Sequence, residues 1–170
     1  GGEESYGYLA GDFVRDKDAV MSCVLIAEMV AWALSNGKDL FDLMQEMYLE
    51  HGFYLEDLIS ITKQGRHGAA EIKAIMDNLR KNTPNSIVGE KVVKFIDYLE
   101  TDKTNLPQSN VLQFITDKGT KVTARPSGTE PKIKFYFSVQ DHLKSNSDFY
   151  KVQDKLQRKI IEIQNEMSLI

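Results

Sequence analysis

At 170 residues, with 42% hydrophobic and 27% charged residues, the chain has the composition of a globular protein able to bury a core. A formal net charge of −4 and a pI near 5.4 argue against broad binding to nucleic acid or an anionic membrane, though not against one small anion site. The single cysteine, Cys23, excludes a disulfide framework; it sits in an apolar run where a buried thiol is expected, and it fits a reducing, cytoplasmic compartment. No apolar run reaches the length of a membrane span, and the longest, residues 19–34, is interrupted by Glu28.

The chain opens on Gly-Gly-Glu-Glu-Ser-Tyr-Gly, without an initiator methionine or a signal peptide, as expected of a piece cut from a longer protein. Residues 1–18 read as loop, with Asp16 or Asp18 placed to cap a helix over 19–34. That helix is apolar on nearly all faces (Val20, Val24, Leu25, Met29, Trp32) and expects cover on most sides. Ser35-Asn36-Gly37 stops it. Asp39 caps a second helix with a stripe of Leu40, Leu43, Met44 and Met47, and Gly52 ends it. The pair resembles the covering layer of an α/β unit whose sheet this chain does not supply.

From Phe53 a new domain is expected. A strand over 53–62 leads to a helix over 65–80, with Ile72, Ile75, Met76 and Leu79 at spacings of three and four. After a turn-rich stretch at 82–89 comes a strand over 90–99, whose buried face stays open because both parities carry apolar residues. A polar loop at 101–109 follows. Strands over 111–116 and 120–124 form a hairpin through Asp117-Lys118-Gly119. The strand over 132–139 alternates: Ile133, Phe135, Phe137 and Val139 face one way, Lys132, Lys134, Tyr136 and Ser138 the other. A last helix, from about 147, aligns Phe149, Val152, Leu156, Ile160, Ile163 and Met167 for the inner face of the sheet. The predicted class is α+β: a two-layer C-terminal domain at 53–170, its antiparallel sheet packed by two helices, preceded at 1–52 by the helical remnant of an α/β domain.

Two stretches are chemically dense. Residues 125–132 read Arg-Pro-Ser-Gly-Thr-Glu-Pro-Lys between two predicted strands. Arg125 offers a planar fork that fits phosphate or carboxylate. Ser127 and Thr129 add hydroxyls, Gly128 lets backbone N–H groups approach a ligand, and Pro126 and Pro131 fix φ at both shoulders. The loop is either a preformed cradle for a phosphate dianion or a long hairpin loop with ordinary turn residues. Glu130 counts against the cradle unless it points away or pairs with Lys132.

The second stretch is Glu3-Glu4-Ser5-Tyr6-Gly7 followed by Arg15-Asp16-Lys17-Asp18. A carboxylate accepting from two vicinal hydroxyls, with a serine beside it, makes a clamp for a sugar; Arg15 and Lys17 can meet a phosphate or supply a proton-transfer group. A solvated, glycine-rich terminus is the other reading. His51, His67 and His142 are isolated from one another and lack partners at ligand spacing, so no metal site is expected here.

Taken as a pair, the two stretches resemble two of the four active-site loops of the α-D-phosphohexomutase family. The run Gly2–Gly7 with Arg15–Asp18 resembles its third-domain sugar loop, and Arg125–Thr129 its fourth-domain phosphate loop. The order and separation agree over essentially the whole chain, and Tyr6–Asp18 looks most like bacterial phosphoglucomutase/phosphomannomutase members. The resemblance implies a four-domain enzyme interconverting hexose 1- and 6-phosphates through a hexose 1,6-bisphosphate and a phosphoserine, with Mg²⁺ held by an aspartate-rich loop. It implies that the phosphoserine and Mg²⁺ loops lie in N-terminal domains absent from these residues, so that the chain alone is inactive. It further implies that Glu3 and Ser5 bind sugar hydroxyls, with Arg15 and Lys17 near the reacting centre. Arg125, Ser127, Gly128 and Thr129 would then hold the phosphate not being transferred. Some members carry a histidine where this chain has Gly7, which leaves Lys17 as the acid–base candidate.

A non-catalytic module sensing a sugar phosphate would share this loop chemistry. A nucleic-acid-binding domain is disfavoured by the acidic balance and the lack of a basic–aromatic stripe. The bare apolar faces of the first two helices are expected to drive self-association.

Overall fold

The computed structural model describes residues 2–3, 7–65, 67–100 and 105–169. They fall into two compact units, Gly1–Glu50 and His51–Ile170.

The first unit differs from its predicted opening loop. Two short strands, β1 (Gly2–Glu3) and β2 (Gly7–Tyr8), pair antiparallel. Helix α1 (Ala19–Ser35) follows, capped by Asp18, whose carboxylate accepts from the N–H groups of Val20 (2.7 Å) and Met21 (3.2 Å). Gly37, at φ 71°, turns the chain out of α1. Helix α2 (Leu40–His51) begins with a reciprocal cap: Asp42 N–H donates to Asp39 Oδ1 and Asp39 N–H to Asp42 Oδ2, both at 2.9 Å. Cys23, expected as a buried thiol, is exposed. The apolar side chains of α1 other than Ala33 are open in the same way, with Val20 77% and Trp32 56% exposed. Among the described residues of this unit the sheet is the two-stranded β1–β2 hairpin.

The second unit is an α+β fold. Its strands are β3 (Phe53–Thr62), β4 (Ser86–Ile87), β5 (Glu90–Asp97), β6 (Leu112–Thr116), β7 (Lys121–Pro126) and β8 (Lys132–Asp141). They form one antiparallel sheet in the order β3-β8-β7-β6-β5-β4. Helices α3 (Gly68–Lys81) and α4 (Phe149–Glu166) pack against β8 and its neighbours. The predicted alternation of β8 holds: Ile133, Phe135, Phe137 and Val139 are each at most 1% exposed. Against them lie Ile72 and Met76 of α3 and the predicted α4 stripe, of which Phe149, Leu156, Ile160 and Ile163 are buried. Phe149 packs on Phe53 at a ring separation of 5.0 Å.

Two differences from the predicted elements have local causes. Helix α3 starts at Gly68 rather than residue 65, because Gly65 sits at φ 87°, outside the helical region. In β5 the pairing with β6 shifts between Val92 and Lys94, inserting one extra residue. Such a bulge exchanges the two faces of a strand, which is why both parities there carry apolar side chains.

A buried ionic cluster ties the sheet to α4. Lys159 Nζ donates to Glu90 Oε1 at 2.6 Å, Thr116 Oγ1 donates to Glu90 Oε2 at 2.8 Å, and Thr120 N–H donates to Thr116 Oγ1 at 3.0 Å. The Thr120 hydroxyl faces the same carboxylate in a looser geometry than that of Thr116. Burial works to raise the Glu90 carboxyl; the hydrogen bonds from Lys159 and Thr116, the nearby Thr120 hydroxyl and the Lys159 charge outweigh it and hold the group below the usual glutamate value.

Candidate functional site

In an antiparallel ladder, residues directly opposite share a face. The β7–β8 register sets Arg125 opposite Lys134, and Ser127 continues the ladder by donating its N–H to Lys132 O at 2.8 Å. On the other side of β8, Ser60 and Thr62 of β3 stand opposite Lys134 and Lys132. Two rows therefore cross the end of the sheet on the face turned from the helices: Ser60–Lys134–Arg125 and Thr62–Lys132–Ser127. Three cations and three hydroxyls are gathered around one loop.

The loop is held from inside. Ser127 Oγ accepts from Glu130 N–H (3.3 Å) and Thr129 N–H (3.4 Å), and Lys132 N–H donates to Glu130 O at 2.7 Å. Its far shoulder is fastened to the β3–α3 connection, where Lys63 N–H donates to Pro131 O at 2.9 Å. Behind it, Ile72 and Met76 of α3, with Asn110, Pro126 and Pro131, line a hollow of about 180 Å³. Gly128 and Thr129 are exposed at the tip. A Cβ built on Gly128 would meet nothing within 4 Å.

The ion pairing around the site is uneven. Glu130 pairs with Lys132 at 3.0 Å, the arrangement that sequence reasoning required if a cradle was to survive. Lys134 Nζ lies 5.9 Å from the ring centre of Tyr136. Of the four arginines among the described residues, Arg80 is paired with Asp97 and Arg158 with Asp154, both in contact at 2.7 Å or less. Arg125 and Arg15 have no carboxylate partner among the described residues. An exposed guanidinium facing another cation, without a counter-ion, is the arrangement of a site that takes its anion from solution.

In the first unit, Asp18 N–H donates to Tyr8 O (3.1 Å), Tyr8 N–H to Ser22 Oγ (3.1 Å) and Ser22 Oγ to Asp18 O (2.5 Å). These bonds fasten the hairpin to the start of α1 and bring Lys17 over Gly7. A Cβ added to Gly7 would lie 2.8 Å from both Cβ and Cγ of Lys17. The stem of Lys17 thus takes the space that a side chain at position 7 would need. Glu3 is placed by its backbone, opposite Gly7, and Ser5 lies outside the described residues. Arg15 is exposed on the turn before Lys17, whose own N–H donates to Asp16 Oδ1 at 2.8 Å.

The structure therefore joins Arg125, Ser127, Gly128 and Thr129 in one loop and joins Lys17 to the Glu3–Gly7 hairpin. It adds Lys132 and Lys134, which sequence reasoning had put on one face of β8 without relating that face to Arg125. The signal was present: a loop closing a hairpin sets its flanking residues opposite one another.

A larger hollow, about 790 Å³, lies elsewhere and is lined by Asp141, Lys155, Glu90 and Lys159 among others. Asp141 is at the opposite end of the ten-residue β8 from Lys132, about 30 Å away at 3.3–3.4 Å per residue. Those charges neutralise one another, Lys155 with Asp141 at 2.5 Å and Lys159 with Glu90, which marks them as structural. Among the described residues no three His, Cys, Asp or Glu side chains converge as a metal site requires.

Residues 1–51 match the family described as phosphoglucomutase/phosphomannomutase, alpha/beta/alpha domain III. The chain is 45% identical over 148 residues to a phosphoglucomutase of Staphylococcus haemolyticus, and 41% identical over 148 residues to one of Staphylococcus aureus strain USA300. Each match covers 81% of this chain and 27% of the relative, so the chain spans about a quarter of their length. Its fold is similar to that of the open form of parafusin, a phosphoglucomutase-like exocytosis-sensitive phosphoprotein from Paramecium. That likeness has a TM-score of 0.58 at 14% identity over 90% of this chain and 28% of that one. The chain belongs to the phosphoglucomutase/phosphomannomutase family of phosphohexomutases.

Proposed function

We propose that this chain is the C-terminal, sugar- and phosphate-binding part of a phosphohexomutase that interconverts hexose 1-phosphate and hexose 6-phosphate, of glucose, mannose or both. In this reading residues 1–52 are the end of the third domain and 53–170 the fourth. The reaction runs through a bisphosphorylated hexose and a phosphoserine. The phosphoserine and the residues that hold Mg²⁺ belong to N-terminal domains outside this chain. Mg²⁺ supplies charge stabilisation to the phosphoryl group in flight. A cytoplasmic location belongs to the same proposal.

The observation that carries the reading is the Arg125 guanidinium, without a carboxylate partner among the described residues, facing Lys134 above a closed Ser-Gly-Thr loop. A phosphate dianion satisfies the Arg125 guanidinium, lies beside Lys134 and takes hydroxyl donors from Ser127 and Thr129. Holding the phosphate that is not transferred supplies positioning, not bond chemistry. One grip that tolerates two sugar orientations lets a single phosphoserine serve both half-reactions. Glu3 and Ser5 would take the sugar hydroxyls; Lys17, with Arg15 beside it, would serve the proton transfer.

Titration of the chain with inorganic phosphate, followed by amide NMR, tests the site. Binding should be weak, centred on residues 125–132 and lost in Arg125→Ala. Shifts centred elsewhere, or unchanged in that variant, would sink the assignment. With hexose 1-phosphate, hexose 1,6-bisphosphate and Mg²⁺ supplied, the chain alone should give no turnover above a blank.

A further inference from the structure

We propose that Glu130 is a built-in counter-ion of the phosphate loop: it neutralises Lys132 while the loop is empty and yields it to the incoming phosphate. This rests on the reading of the loop as a phosphate grip and goes on to how the grip lets go.

Three cations stand on one sheet face at the loop, and their states differ. Arg125 has no carboxylate partner among the described residues, Lys134 leans over Tyr136, and Lys132 is matched by the Glu130 carboxylate at 3.0 Å. Glu130 is well built for a reversible contact. Its main chain is pinned at both polar groups, N–H to Ser127 Oγ and O to Lys132 N–H, so the residue stays in place whatever its side chain does. The carboxylate itself is 61% exposed, and it can swing into solvent by rotating its own χ angles. Lys132 shares the face of Arg125 and Lys134, so its ammonium can turn from Glu130 to an anion lying between them.

A phosphate dianion cannot share this space with Glu130 in its present pose, because like charges at contact distance repel. Binding must therefore displace the carboxylate, and emptying the loop restores the pair. An exposed ion pair of this kind weakens phosphate binding by about two- to fivefold. In a mutase whose bisphosphorylated intermediate has to leave the grip and return reversed, such an internal competitor favours exchange over retention.

The test is inorganic phosphate titrated into the chain at pH 7.5 and low salt, read by amide shifts over residues 127–132. Glu130→Gln should tighten binding two- to fivefold. Lys132→Met should weaken it, and in the Lys132→Met background Glu130→Gln should give a smaller gain, because the competitor has lost its partner. Unchanged or weaker binding by Glu130→Gln overturns the proposal, as does an undiminished gain in the double variant, which would show bulk charge rather than exchange. Arg125→Ala separates the two levels. If it abolishes binding while Glu130→Gln changes nothing, the grip stands and the counter-ion falls. If neither the parent chain nor Glu130→Gln binds phosphate, both fall.

Discussion

Arg125 and Lys134 stand directly opposite each other across the β7–β8 ladder, two cations on one face where an ordinary sheet would place a neutral or complementary pair. Like charges in this position are destabilising. Lys134→Met relieves that repulsion and gives up the contact with the Tyr136 ring, itself about 0.5–1 kcal/mol at an exposed site. These two changes oppose each other in urea denaturation, so the readout that decides is affinity. Phosphate binding should fall about tenfold, the worth of one charged hydrogen bond. A variant that keeps its affinity would remove Lys134 from the site.

Gly128 makes a complementary prediction. Its φ is not positive and a Cβ there meets nothing, so the empty loop does not require glycine. Gly128→Ala should stabilise the fold by about 0.4–1 kcal/mol through the unfolded chain. If phosphate sits against the loop tip, the same methyl group obstructs it, and binding weakens severalfold. A gain in stability with intact binding would place the anion elsewhere.

Gly7 is the opposite case, because there the crowding is already visible. Gly7→Ala drives a methyl group into the Lys17 stem, which must move. In the enzyme of which this chain is proposed to be part, kcat should fall at least tenfold for Gly7→Ala, in the same direction as Lys17→Met. Gly11→Ala, also crowded but against the exposed Phe13 ring, should change kcat little. Equal losses at both glycines would mean that the loop is merely sensitive, with no special role for Lys17.

The Glu90–Lys159 pair sets an acid limit on stability. Both Glu90 and Asp141 are held below their ordinary values: Glu90 because its partners outweigh burial, and Asp141 by the Lys155 hydrogen bond first, against burial, with help from the His142 N–H. A carboxyl lowered in the folded state contributes stability that is complete above its unfolded value and is lost as pH falls through the folded one. Urea midpoints should therefore be flat near neutrality and drop below about pH 4.5, the ordinary glutamate value. Glu90→Gln should cost about 1–3 kcal/mol at pH 7 by leaving the half-buried Lys159 without its charged partner, and should flatten the acid limb. In Glu90→Gln with Lys159→Met much of that loss should return.

Much of the second unit was legible because its signals are local. The period of two in β8 and the three-four stripe of α4 each name a buried face without reference to anything distant. Residues that depend on pairing were harder. Lys132 and Lys134 were assigned a face, but only the ladder register shows that Arg125 shares it. The face of β5 could not be chosen because a bulge exchanges parity inside the strand. Cys23 is exposed, against its expectation, for a different reason: apolar neighbours in sequence predict burial only where something lies over them. Gly7 carries no sequence signal for the Lys17 stem across the hairpin, which is a tertiary contact.

That open helix leads to the last prediction. Along α1, Val20, Val24, Met29 and Trp32 are each more than half exposed, 77%, 51%, 51% and 56% respectively. Isolated apolar residues on a surface are ordinary, but a run of them along one helix makes a contiguous patch of the kind that marks an interface. The chain should therefore self-associate, with an apparent mass by light scattering that rises above 19.3 kDa as concentration increases. Val24→Lys with Trp32→Lys places two charges on the patch and should return the monomer mass. It should leave the urea transition of the second unit unchanged, since α1 belongs to the first. A parent chain that stays monodisperse and monomeric at high concentration would mean that this exposed surface is tolerated by water, and that nothing need cover it.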